Sequence, residues 1–330
     1  MRSFQHYNAR SIREAAALLA KHNGKAKVIA GGTDLIGSLK NHSIPNYPET
    51  LINIKTIRGF DEIREEGSLL KIGALTKLSE IADSPLLMEK YSILSEAAGS
   101  VASPQVRNVA TLGGNLCQEV RCWYYRYPRH IGGPLECARK GHGPCLAVKG
   151  DNRYHAIMEA KKCFAVCPSD MAVALAALDG QIIVAGPKGQ RRVAVTDFFR
   201  PLGNALKSGE MVTEIEVPRV TDPVKQKFLK FTLRNPIDFA IVSVASVLTV
   251  TEGVCRAARI VLGAVAPAPF RAKAAEELIT GKTINEVLAD EAAKSALAGA
   301  KPLSQNAYKI EIAKVLVKRA ILAHEKGFSL

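Results

Sequence analysis

No stretch of this 330-residue chain holds about 20 consecutive apolar residues, so nothing in it reads as a membrane-spanning helix. There is no internal repeat, which excludes a solenoid. There is no C-x-x-C pair, so zinc-ribbon and thioredoxin readings lose their main support. G-x-G-x-x-G is missing too, which leaves a Rossmann dinucleotide site unsupported. Gly281-Lys282-Thr283 has the tail of a phosphate-binding loop, but Glu276 stands where the first glycine must be, and the segment joins two helices. No Ser/His/Asp or paired-carboxylate set is evident. Acidic residues are few: 31 Asp+Glu against 45 Lys+Arg leave a net charge of +14. The N-terminal region has charges throughout its apolar stretch, unlike a secretory signal, and the expected compartment is the cytoplasm.

With 47% apolar and 23% charged residues, the composition is that of a globular chain of two or three domains. Residues 11–21 predict a helix opened by an S-x-x-E capping box at Ser11 and Glu14. Strands are expected at 27–30, 51–54 and 69–72, and helices at 76–82 and 86–99. An Ala-rich helix at 171–178 and strands at 181–185 and 211–217 complete the first part. Beyond a boundary near 219–223, three strands (227–233, 241–251, 256–263) precede three helices (272–279, 284–298, 307–324), the pattern of a separate α+β domain.

Three features point to chemistry. The first is Ile29-Ala30-Gly31-Gly32-Thr33-Asp34-Leu35 at the end of a strand. Paired glycines bring backbone N–H groups close to an anion, and the alternative is a plain β-turn. The second is a loop ending in Thr111-Leu112-Gly113-Gly114-Asn115, with Arg107 upstream as a possible anion partner or a structural arginine. Two such loops suggest one diphosphate held between two backbone segments.

The third feature is cysteine placement. Cys117, Cys122, Cys137, Cys145, Cys163 and Cys167 fall close together, and only Cys255 lies elsewhere. In a reducing compartment this reads as metal or redox chemistry rather than disulfides. Four thiolates suit an iron–sulfur cubane, with zinc or buried free thiols as the alternatives. The surrounding segment, 121–162, is aromatic and basic, with nine Lys+Arg against three Asp+Glu, a sign that would offset an anionic cluster. His130, His142 and His155 lie in the same segment as alternative ligands, whereas His6, His22, His42 and His324 have no metal spacing.

AGGTDL, VRNVATLGGNLC, NRYHAI and CPSDMAVALAALD together resemble the FAD-binding (medium) subunit of the xanthine dehydrogenase family of molybdenum hydroxylases, over nearly the whole chain. The resemblance implies a two-lobed FAD-binding domain of the PCMH/vanillyl-alcohol-oxidase type at 1–219. Its lobes are about 1–57 and 58–219, and a small α+β domain with a three-stranded sheet follows at 220–330. It implies FAD contacts from Ile29 through Leu35, from Ala102, Val109, Thr111, Gly113, Gly114, Asn115 and Cys117, and from Asp170, Met171 and Lys230, the last closing over the flavin ring. The cysteine-bearing segment 117–167 resembles that of the 4-hydroxybenzoyl-CoA reductase β subunit. It implies a [4Fe-4S] cluster on Cys122, Cys137, Cys145 and Cys163, with Cys167 as the substitute for the last.

The implied role is an electron-transfer subunit. Its partners would be a molybdenum-cofactor large subunit and a [2Fe-2S] small subunit, with ferredoxin or NAD as the external carrier and no nucleic acid. One alternative is an NAD-reducing FAD subunit with no working cluster. Another, suggested by charge alone, is a nucleic-acid-binding or scaffold protein.

Overall fold

The computed structural model describes residues 1–132, 135–220, 224–235 and 237–323. His324 and most of the expected domain boundary (221–223) lie outside them.

The first lobe is a parallel three-stranded sheet in which Thr50–Asn53 pairs with both Gln5–Asn8 and Ala26–Ile29. The crossover helix Ile12–Lys21 starts where expected: the Ser11 hydroxyl accepts from the Glu14 N–H at 3.1 Å. The Glu14 carboxylate reaches back one residue further than the capping box requires, accepting from the Arg10 N–H at 2.8 Å.

The second lobe is an antiparallel five-stranded sheet, in the order Ile63–Glu66, Leu69–Gly73, Met211–Pro218, Gln181–Gly186, Gly189–Ala194. The two outermost strands are absent from the sequence reading. Both lie at sheet edges and carry charged residues, which hide the hydrophobic alternation. The helix expected over 86–99 is two helices, Pro85–Lys90 and Ser92–Gly99. Tyr91 breaks them apart with φ −133° and ψ 46°; its side chain is buried and its hydroxyl bonds the Glu65 carboxylate at 3.2 Å.

The C-terminal domain is an antiparallel meander of Val224–Phe231, Val242–Thr251 and Val254–Gly263, with three helices on one face. A two-residue fourth strand, Phe270–Arg271, extends the expected three. Its sheet is buried on both faces with period two. Val242, Val244, Leu248, Ile260 and Leu262 face the domain's own helices. Phe228, Ala245 and Val261 join the core of the two N-terminal lobes, against the wholly buried helix Asp170–Ala177. The open edge of Val224–Phe231 is covered by the helix Ser92–Gly99, whose Glu96 accepts from the Phe228 N–H at 2.7 Å.

The cysteine-bearing segment is not structureless. It contains short turns at Trp123–Arg126, Arg129–Gly132, Ala138–Lys140 and Leu146–Val148. Val120, Tyr125, Cys137, Cys163 and Ala165 form a small core of their own, with Cys122 packed against it. Its far end is fastened to the C-terminal domain. Asn152 donates to the Ser304 hydroxyl at 3.0 Å and accepts from the Gln305 N–H at 2.9 Å. Asn306 and Lys309 both donate to the His155 carbonyl at 3.0 Å.

Lys309 is fully buried, its ammonium also donating to the Ala264 carbonyl, and burial pushes its pKa down to about 7. The unfolded chain keeps this lysine protonated to roughly pH 10.4. Above about pH 7 the unfolded state therefore holds the extra proton, and folding stability rises with pH from this group. Between about pH 7 and about pH 8.5, below the unfolded cysteine range, wild-type stability should gain on a Lys309→Met variant in denaturant midpoints. Parallel profiles would show that the lysine does not titrate there.

Candidate functional site

The two glycine loops meet at the junction of the lobes. A Cβ on Gly31 would lie 2.1 Å from the Val109 carbonyl oxygen, so the first loop passes the second backbone to backbone. In the second loop, a Cβ on Gly113 would lie 2.9 Å from Ala74 Cβ. No side chain fits at either point, and both loops wall a cavity of about 650 Å³. Thr111 caps the short helix Leu112–Cys117, its hydroxyl accepting from the Gly114 N–H at 3.2 Å. Ser169, cap of the helix Asp170–Ala177, donates to Asn115 Oδ1 at 2.6 Å and so joins the second loop to the Pro168-Ser169-Asp170 segment.

The cavity is lined by Ile29 through Leu35, Ala102, Thr111, Gly113, Gly114, Asn115, Cys117, Asp170 and Lys230. Val109 touches Gly31 from behind, and Met171 is wholly buried in the core beneath. Wall residues that sequence reasoning missed include two stretches, Leu206 to Val212 and Ile237 to Phe239. Both are loop-rich, with no motif to mark them.

Arg107 is the structural arginine rather than an anion partner. Its guanidinium donates to the Val101 and Ala102 carbonyls at 3.0 and 2.9 Å, holding Ala102 at φ +47°. Asp170 and Lys230 form a buried ion pair at 2.7 Å, and Lys230 also donates to the Ser100 carbonyl. Burial raises the Asp170 carboxyl above the usual range, against the opposing pull of Lys230. Burial also pushes the Cys117 thiol up to about 12, so it stands as a neutral wall group.

Asp34 links this cavity to the cysteines. Its side chain does not cap the helix that follows it. One oxygen pairs with Arg121 at 2.9 Å and Arg126 at 2.5 Å, and the other accepts from the Glu119 N–H at 2.9 Å. The same Arg121 stacks over Phe239, 4.4 Å from the ring centre, at the cavity wall. Burial pushes the Arg121 pKa down to about 10, against the pull of Asp34; it remains a cation at neutral pH, and its Nε is buried with no partner.

The cysteines separate into distinct neighbourhoods. Cys122 feels Cys163 and Cys145, and Cys163 feels Cys145 and Cys137. Burial pushes the Cys122 thiol up to about 11, while the Tyr125 and Tyr124 backbone N–H groups favour its thiolate. Cys167 lies in the main core beside Asp170, and burial pushes it up to about 12. Cys255 is buried in the C-terminal core. Among the described residues no three His, Cys, Asp or Glu side chains are grouped to hold a metal ion. A single zinc ion draws its thiolates to about 2.3 Å from one centre, whereas a cubane is held at separate iron corners. Cys122, Cys137 and Cys163 share the small core and Cys145 acts on two of them, so the chemistry of the donor set, four thiols, is that of a cubane's four corners.

Not all of the basic excess faces the cysteines. Arg121 and Arg126 are taken by Asp34, and Arg153 pairs with Asp151. Lys140 is the cation that Cys137 and Cys122 act on, and Arg139 the one beside Cys163. His155 is buried, with Nε2 3.3 Å from Cys122 Sγ; burial lowers its pKa to about 4, with Lys309 adding to the effect.

Two family matches cover the chain. Residues 2–220 match the FAD binding domain in molybdopterin dehydrogenase, and residues 227–324 match the CO dehydrogenase flavoprotein C-terminal domain. The aldehyde oxidoreductase FAD-binding subunit PaoB of Escherichia coli K12 is 32% identical over 325 residues, covering 95% of this chain and 96% of that protein. The carbon monoxide dehydrogenase medium chain of Afipia carboxidovorans is 28% identical over 97% of this chain and 96% of its own. The solved carbon monoxide dehydrogenase of Hydrogenophaga pseudoflava, in a form lacking the Mo-pyranopterin moiety, superposes with a TM-score of 0.78 at 28% identity, covering 98% of this chain and 97% of that one. These matches do not favour the nucleic-acid or scaffold reading of the charge. The glycine cradle, the cavity between the lobes and the unpartnered Arg121 Nε fit a bound dinucleotide. The chain belongs to the FAD-binding subunits of the xanthine dehydrogenase/CO dehydrogenase family of molybdenum hydroxylases, and is an oxidoreductase subunit.

Proposed function

We propose that this subunit carries a [4Fe-4S] cluster beside its FAD. It relays electrons between an external carrier, ferredoxin or NAD, and partner subunits bearing the molybdenum cofactor and [2Fe-2S] centres. One observation supports the reading: Cys122, Cys137 and Cys163 share one small core, Cys145 acts electrostatically on Cys122 and Cys163, and Arg126 of the same segment ties it to Asp34 of the first glycine loop. Bound FAD supplies exchange between two-electron and one-electron transfer, and a cluster supplies a one-electron station.

The chain's own residues position and tune these groups. Backbone N–H groups of the two glycine loops bind the pyrophosphate, which no side chain can crowd. Lys230, anchored by Asp170 and the Ser100 carbonyl, sets a fixed cation in the cavity wall. Cys122, Cys137, Cys145 and Cys163 hold the cluster as thiolates. Lys140 and Arg139 offset their negative charge, which favours the reduced state. Cys167 belongs to the flavin-side core and takes no part.

Gly31→Ala drives a methyl into the Val109 carbonyl, and the purified protein should lose most of its flavin, read as absorbance near 450 nm against protein. Full occupancy would remove the loop from the binding site. Anaerobic protein should contain about four iron and four sulfide per FAD. Cys163→Ser should lose them while Cys167→Ser keeps them. Zinc without sulfide in the wild type, or the reverse pattern in the variants, would reject the assignment.

A further inference from the structure

The segment that brings His155 to the cysteines is held with unusual care. Its carbonyl receives bonds from both Asn306 and Lys309, and the ring packs edge-on to Trp123 with 5.6 Å between centres. These contacts fix the ring with Nε2 3.3 Å from Cys122 Sγ, a separation at which sulfur accepts a hydrogen bond. The other nitrogen, Nδ1, is buried and has no partner. A buried N–H without an acceptor is rarer and costlier than a bare lone pair. The ring proton therefore belongs on Nε2, facing the sulfur, a tautomer assigned from the bonding pattern. The Tyr124 and Tyr125 N–H groups act on the same sulfur. Cys122 is thus the cysteine of the set with a side-chain donor assigned to it by these contacts.

We infer that His155 is a positioning residue for the redox centre: its Nε2–H donates to the Cys122 sulfur and raises the reduction potential of the cluster that sulfur helps to hold. The inference rests on the cluster reading above. Reduction adds negative charge that is shared by the ligand sulfurs, so a donor to one of them stabilises the reduced state more than the oxidised one. A tenfold change in the one-electron equilibrium corresponds to about 59 mV.

The test uses the whole complex, purified without oxygen, with His155→Leu and His155→Gln compared with the wild type. Iron and sulfide are counted first, and the cluster potential is then read by electron paramagnetic resonance during a redox titration. Leucine removes the donor; glutamine returns an N–H close to the place of Nε2. The expected result is a cluster in all three, with the potential about tenfold less favourable to reduction in His155→Leu and restored in His155→Gln. A cluster lost from the leucine variant but kept at the wild-type potential with glutamine also upholds the donor. Equal potentials in all three overturn it. So does an equal fall in both variants, or loss of the cluster from both, since the ring would then be a ligand or a packing element. Absence of iron and sulfide from the wild type is a separate outcome, which removes the cluster reading itself and this inference with it.

Discussion

The arrangement of this subunit depends on a place where two backbones touch with no side chain between them. Gly31 runs against the Val109 carbonyl, and Gly113 against Ala74. The first contact joins the two lobes and the second lies within the second lobe, and at neither is there room for a Cβ. The cavity is the space left beside that seam. Its walls are therefore set by the least compressible part of the chain, the main chain itself, and its N–H groups are directed by two caps, Thr111 and Ser169. Ser169 does this twice, capping its own buried helix and holding Asn115 in the second loop.

From that seam the remaining parts are attached by polar contacts whose members come from different lobes. Asp34 turns away from the helix it precedes and gathers two arginines and a backbone N–H of the cysteine-bearing segment. Such a partly buried carboxylate is stable because its charge is matched by two cations and a third bond fills a remaining lone pair. Lys230 crosses from the C-terminal sheet to Asp170 and Ser100. The flavin-side cavity and the thiol cluster are thus neighbours through shared residues, Asp34 and Arg121, rather than through proximity alone.

Much of the architecture was legible in the sequence where local chemistry agrees with the tertiary fold. The helices after Ser11, Ser169 and Asn285 each start on a residue whose side chain accepts from the backbone. The glycine pairs announced close approaches, though not which carbonyl they approach. What stayed hidden was decided by distant partners. Nothing in residues 86–99 marks the break at Tyr91, because Glu65, 26 positions away, holds that side chain. Ile63–Glu66 and Gly189–Ala194 are strands by virtue of their neighbours, not their pattern. Arg107 and Asp34 both sit in motifs that suggest ligand contact, yet each bonds the protein itself. Spacing alone could not separate Cys163 from Cys167, since four residues carry the chain from the small thiol core into the main one.

The cysteine-bearing segment is moored at two ends to different bodies. Arg121 and Arg126 tie its start to the first lobe, while Asn152 and His155 tie its end to the C-terminal domain. A span fixed in this way acts like a cable across a joint. Any swing of the C-terminal domain away from the cavity must stretch it or break one mooring. The segment thereby limits how far the subunit can open, and the distance between the cavity and the cysteines is kept by the same bonds that keep the domains together.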